Sequence, residues 1–120
     1  MDTLYDPTED VYRILTGITG ITVLEPRSTL EVESLYTSDT PIVIPVDSNN
    51  MPSYSLDSQI TKQDVEITID IYARTPAISR QTLQTIESTM RANDFMLNYS
   101  RTVSNVDDIS HKQAYFNLLN

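Results

Sequence analysis

Residues 64–74, "DVEITIDIYAR", constrain this chain more than any other stretch. Val65, Ile67, Ile69 and Ile71 alternate with Glu66, Thr68, Asp70 and Tyr72. A period of two over eight residues specifies a β-strand with one buried and one polar face. The pattern then changes period. Thr75 is placed to cap a helix with Pro76 at its first position, where a missing N–H costs nothing. Ile78, Leu83, Ile86 and Met90 supply the buried stripe of a helix over 76–92. After Asn93-Asp94, alternation resumes through Phe95, Leu97, Tyr99, Arg101 and Val103. A last strand over 110–119 puts Ala114, Phe116 and Leu118 on one face, which makes "SNVDDI" the loop of an antiparallel hairpin.

The first half is patterned more weakly. Asp6-Pro7 reads as an N-cap and first helical residue, and Val11, Ile14 and Leu15 follow at helical spacing to Gly17, giving a helix over 7–16. "GITGITVLEP" predicts a strand over 20–25, "LEVESLY" one near 30–36, and "PIVIPV" one over 41–46. Prolines flanking that last run place it toward a sheet edge, because proline cannot donate to a ladder. "DSNNMPSYSLDSQI" is then expected to be a long loop. The whole, 1–120, is expected to be one α+β domain: a mostly antiparallel sheet with one long helix on one face and a short N-terminal helix. The closing "AYFNLLN" has no polar tail and is expected to be tied into the sheet or covered by a partner.

Composition removes several function classes. The chain has no cysteine, so thiol chemistry and Cys-based zinc sites are excluded. The acidic opening shows no secretory signal, and no apolar run reaches membrane-spanning length. Net charge is −9 and uneven: residues 1–60 hold ten acids and two arginines, net −8, and residues 61–120 hold seven acids and six bases, net −1. Gripping nucleic acid through its phosphates needs clustered Lys and Arg, so that mode is excluded, although an acidic surface can enclose DNA without trapping it.

The densest chemical cluster is "NVDDISHKQ", with Asp107 and Asp108 a turn before His111, the only histidine. A metal or general-base site would need convergent groups from elsewhere in the chain. Asp and Asn at a hairpin tip are ordinary turn chemistry, and that is the better account. Glu66 and Asp70 on the polar face of their strand stand about 13 Å apart at ~3.3 Å per residue, too far for a paired-carboxylate mechanism. No phosphate loop, nucleophile elbow or HExxH motif occurs. No catalytic residue, metal or cofactor is assigned.

Interface chemistry is better represented. Seven tyrosines outnumber two phenylalanines, and tyrosine combines an apolar body with a polar tip. Tyr72 sits on the polar face of its strand, while Met51, Tyr54 and Leu56 put apolar groups in the long loop, which could serve as an arm docking on another chain.

Three stretches carry a family resemblance. "EDVYRILTGITGITVLEP", "QDVEITIDIYARTPAISRQTLQTIESTMRANDF" and "HKQAYFNLL" are similar, in order, to the opening helix and strand, the signature strand with its long helix and return strand, and the closing strand of the tail terminator proteins of long-tailed bacteriophages. Together they span about half of the chain; 26–63 carries no resemblance. Membership implies a virion protein of the tail and neck, assembled in the host cytoplasm. It implies a hexameric ring that caps the tail tube, ends its growth and meets the head connector, with DNA passing through the lumen. Its partners would be further copies, the tail tube protein and the connector or stopper protein. Glu66, Asp70 and Tyr72 are then candidate subunit-interface residues with Tyr54 and Leu56, and Arg74, Arg80, Arg91 and Arg101 are candidate partners for acids of neighbouring subunits. Within the same class stands a head–tail connector or stopper. Outside it stand an acidic binding module that mimics DNA as an inhibitor and, last, a small hydrolase built on Asp107, Asp108 and His111.

Overall fold

The computed structural model describes residues 6–28, 40–54, 60–106 and 109–118. In chain order these form helix α1 (Thr8–Thr16), strands β1 (Thr22–Val23), β2 (Ile42–Tyr54) and β3 (Ile60–Ala73), helix α2 (Pro76–Ala92), and strands β4 (Phe95–Val106) and β5 (Ile109–Leu118). The strands make one sheet in the order β1-β2-β3-β5-β4, parallel only between β1 and β2. The fold is α+β, as the pattern predicts.

β3 is the middle of this sheet, and its alternation shows why. Val65, Ile67, Ile69 and Ile71 are all buried, the three isoleucines completely. Each fully buried aliphatic side chain contributes roughly 1.5–3 kcal/mol, so this row alone ties one face of the strand to the core. Phe116 and Ala114 of β5, Val43 of β2 and Phe95 of β4 extend the same face. Ile86 and Met90 of α2 and Val11 and Leu15 of α1 close over it. Both helices therefore lie on one side of the sheet.

Helix α2 starts where its sequence says it should. Thr75 is extended (φ −135°, ψ 154°), and its Oγ1 accepts the Ile78 N–H at 3.1 Å, with Pro76 inside the first turn. The buried row differs from the predicted one, however. Ser79, Thr82, Ile86 and Met90 are buried, Leu83 only partly, and Ile78 is 38% exposed. The helix presents small side chains to the sheet in its first two turns and large ones only from Ile86 on. Thr82 satisfies its hydroxyl on the Ile78 carbonyl, whereas Ser79 Oγ has no hydrogen-bond partner among the described residues.

At α1 the Asp6 carboxylate accepts from the Thr8 N–H (3.0 Å) and hydroxyl (2.6 Å), and the Pro7 carbonyl accepts from Val11 N–H. Asp6 is thus the functional cap, with Pro7 already helical (φ −76°, ψ −8°).

The largest departure from expectation lies in the stretch 47–60. Much of the predicted loop is instead strand: β2 continues to Tyr54 and β3 begins at Ile60, in one register from Asp47↔Thr68 to Ser53↔Lys62, with a shift before Tyr54↔Ile60. Proline does not stop β2. The carbonyls of Pro41, Val43 and Pro45 all accept N–H groups from the β1 side, at Thr22, Leu24 and Arg27. Within a strand a residue's N–H and C=O face the same edge, so the missing donor of Pro45 falls on that side and costs β3 nothing. A bulge between Pro45 and Asp47 then re-phases the pairing. The edge expected at 41–46 is not found: β1 pairs with Ile42 and Val43 and the chain after it reaches Val43 and Pro45, so this part of β2 is flanked on both sides. The strand expected near 30–36 and the hairpin tip at 107–108 lie outside the described residues. β5 runs between β3 and β4, so the closing strand is tied in as far as Leu118.

Both glycines flank turns, but only Gly20 uses its freedom, at φ +85°. A Cβ there would meet no atom within 4 Å, so Gly20→Ala should lose only the backbone term, about 1–2 kcal/mol. Gly17 has φ −78° and an ordinary 3.4 Å approach to the Ile14 carbonyl, so Gly17→Ala should gain about 0.4–1 kcal/mol. Urea unfolding of the two variants should shift in opposite directions; equal shifts would contradict this account of the turn.

Candidate interface on the outer sheet face

The face of the sheet away from the helices gathers the residues with chemistry. Register fixes its rows. Glu66, Thr68, Asp70 and Tyr72 of β3 stand opposite Asn117, Tyr115, Gln113 and His111 of β5. Asn117, Tyr115 and Gln113 in turn stand opposite Met96, Tyr99 and Arg101 of β4. Cross-strand partners share a face, so all belong to the side opposite the isoleucines.

His111 is therefore a residue within β5 rather than part of a hairpin tip. Its Nε2 donates to Asp70 Oδ1 across 3.0 Å, a diagonal contact between neighbouring strands. Tyr72, directly opposite His111, stacks on the imidazole with ring centroids 4.2 Å apart and planes 14° from parallel. Asp70 is only 8% exposed, so it is not the solvated strand carboxylate that alternation alone suggests. A buried carboxylate requires a donor, and His111 supplies it. Burial, followed by the nearby Asp70, raises the Tyr72 phenol above its usual 10.0.

A second cluster sits one row along. Gln113 Oε1 accepts from Arg101 Nε (3.1 Å) and Nη2 (2.8 Å) and from the Tyr115 hydroxyl (3.0 Å). Tyr99 stacks on Tyr115 at 4.3 Å and 17°. Three donors on one oxygen fix the Gln113 amide and hold the Arg101 guanidinium against the sheet. The outer face is thus a set of ordered side chains, with two aromatic stacks flanking an Arg–Gln bridge.

Of the residues singled out in the sequence, Asp70 and Tyr72 come together with His111, and Arg101 lies across β5 from them. Glu66 is half-buried in the next rows of the same face. Arg74 and Arg80 are exposed, beyond the end of β3 and on α2. Arg91 pairs with Glu87 one helical turn away on α2. Tyr54 ends β2, and Leu56 lies outside the described residues, as do Asp107 and Asp108. Sequence reasoning missed Gln113 and the Asp70–His111 pair. Putting Ala114, Phe116 and Leu118 inward already put 111, 113 and 115 outward, but nothing in the sequence made β3 the neighbour of β5. Among the described residues no group of three or more His, Cys, Asp or Glu could hold a metal ion.

No protein-family model matches the chain, and no curated protein matches it. Among solved structures the fold is similar to a chain of "Virion of native gene transfer agent (GTA) particle". The TM-score is 0.60 at 10% identity, over 90% of this chain and 89% of that one. At that identity the likeness is one of fold, over nearly the full length of both chains.

Two consequences of this geometry can be measured. His111→Ala leaves a buried carboxylate without its donor and should cost about 1–3 kcal/mol. In a double-mutant cycle with Asp70→Ala the two should couple by about 1–2 kcal/mol, and additive losses would deny the contact. The raised Tyr72 pKa favours the neutral phenol in the folded state. Its contribution is full below the unfolded value of 10.0 and is lost as pH rises through the higher folded value. Urea midpoints followed from about pH 9 to 11.5 should therefore fall less for Tyr72→Phe than for the native chain.

Proposed function

We propose that this chain is a non-enzymatic structural protein of a phage-type virion, a single-domain subunit of the ring that caps the tail tube. The observation that carries the reading is the fold likeness over 90% of the chain to a component of a virion particle, in agreement with the tail-terminator resemblance of three ordered segments. In this reading the ring, a hexamer by that resemblance, ends tube growth and joins the tail to the head connector while DNA passes through its centre. The connector or stopper of the same neck is the neighbouring assignment.

The outer sheet face fits a protein that works by contact. Its His–Asp pair has no nucleophile or third orienting group described beside it, and its aromatic stacks leave ordered, half-buried surfaces rather than a cleft. The acidic balance fits a lumen that DNA must traverse without sticking.

Negative-stain imaging of tails assembled with and without the protein tests the function directly. Tails made without it should be over-long or variable in length and should fail to join heads. Uniform tails of normal length that join heads without it would remove the terminator reading. Tails of normal length that fail only at joining would favour the connector.

A further inference from the structure

Strands β4 and β5 differ in chemistry from the rest of the chain. They carry no aspartate or glutamate in a sequence with 17 acids, and their only lysine and arginine are Lys112 and Arg101. Of the four large apolar side chains exposed among the described residues, three lie on β4: Met96 (51%), Tyr99 (50%) and Val103 (44%). Tyr115 takes one face of the Tyr99 ring, and the other half of that side chain stays exposed. Arg101, two residues on, is exposed and held in place by Gln113. An exposed tyrosine beside an oriented arginine has the make-up of an interface centre, and its charge suits an acidic partner.

On the opposite side of the sheet, the chain leaving β1 makes an irregular turn. Glu25, Pro26, Arg27 and Ser28 form it, closed by the Ser28 N–H on the Glu25 carbonyl at 3.1 Å. Arg27, the third residue, has φ +61°, a left-handed backbone that favours glycine or asparagine and strains other residues. Glu25 and Arg27 are both exposed, and neither forms a salt bridge with a described residue. The turn stands level with the β4 patch. Its Arg27 N–H donates to the Pro45 carbonyl at 2.9 Å, and Pro45, Ile69, Ala114 and Ser100 form one row across the sheet, with Tyr99 and Arg101 on either side of Ser100. Val23 is level with Thr102 through Val43, Ile71 and Lys112, so the chain after β1 passes the level of Arg101 on its way to that row. A second copy turned about an axis parallel to the strands therefore brings this turn to Arg101 and Tyr99 with no shift along the strands.

We infer that the Glu25–Ser28 turn of one copy docks on the β4–β5 face of the next, with Glu25 meeting Arg101 and the Arg27 guanidinium lying on the open face of Tyr99. The acid-free face of one chain then meets the half of its neighbour that holds most of the negative charge. The strained backbone at Arg27 is kept for a side chain that glycine lacks. A contact between two different patches repeats from copy to copy and closes a ring when the rotation allows. The inference rests on the ring reading above and names the two surfaces that build it.

Assembly can be read by sedimentation in solution and by capping of tail tubes that lack the protein. Arg101→Glu and Glu25→Arg should each weaken it about tenfold, because each sets like charges against one another. Mixing the two variants should restore it, since every contact between alternating copies then joins unlike charges, and the rescue also shows that both chains fold. Arg27→Gly removes the left-handed strain together with the guanidinium, so the urea midpoint should hold or rise while assembly weakens about threefold. Normal assembly of Arg27→Gly would make the turn a matter of the fold alone and overturn the proposal. Rings that form equally well with Arg101→Glu, or assembly that the mixture does not restore, overturn this contact and leave the ring reading standing. A chain that stays monomeric both in solution and on tail tubes overturns both.

Discussion

The structure depends on the period of β3. Three isoleucines with no exposed surface pin one face of the strand to the helices, and the strand's geometry then sends Glu66, Thr68, Asp70 and Tyr72 to the other. A slip of one residue would bury those four and expose the isoleucines, so the register admits no alternative. Because β3 pairs on both sides, with β2 and with β5, its register is passed to the whole sheet. Each row of the outer face is thereby set by a hydrophobic decision made on the inner one.

That transmission explains why the polar face is ordered rather than loosely solvated. Asp70 falls where the sheet leaves it little water, and the residue diagonal to it on β5 is the chain's only histidine. Opposite that histidine stands Tyr72, whose ring covers the imidazole and shares the burial. Two strands away Arg101 could have remained a mobile surface cation, but Gln113, itself held by the Tyr115 hydroxyl, fixes it. Side chains already held in place lose little entropy when another surface meets them, which favours recognition by contact over induced rearrangement.

The legible parts of the fold were those where one local signal decided the outcome. Thr75-Pro76 fixed the start of α2 because a cap and an N1 proline act within four residues. The alternation of 65–72 defined β3 because nothing competes with it. The helix stripe was misread at Ile78 because apolarity and helical spacing do not say which side packs close, and the near side here takes Ser79 and Thr82. The segment 47–54 was misread for the opposite reason. Asp, Asn, Ser and Pro disfavour strands on average, yet β3 lends them a ladder, and Pro45 just before them turns its missing donor toward β1. At the candidate site every residue type was visible, but the pairing of 70 with 111 was not. It depends on β5 inserting between β3 and β4, a tertiary fact with no local trace.

For the proposed ring, charge and contact between copies pull against each other. A head-to-tail contact between copies would propagate freely if nothing opposed it. Nine net negative charges per copy oppose it, since every added subunit brings its own surplus close to that of its neighbours. Salt screening relaxes only the part of that repulsion that acts beyond about 8–10 Å. Such a chain assembles best where a template raises the local concentration and holds the copies in place.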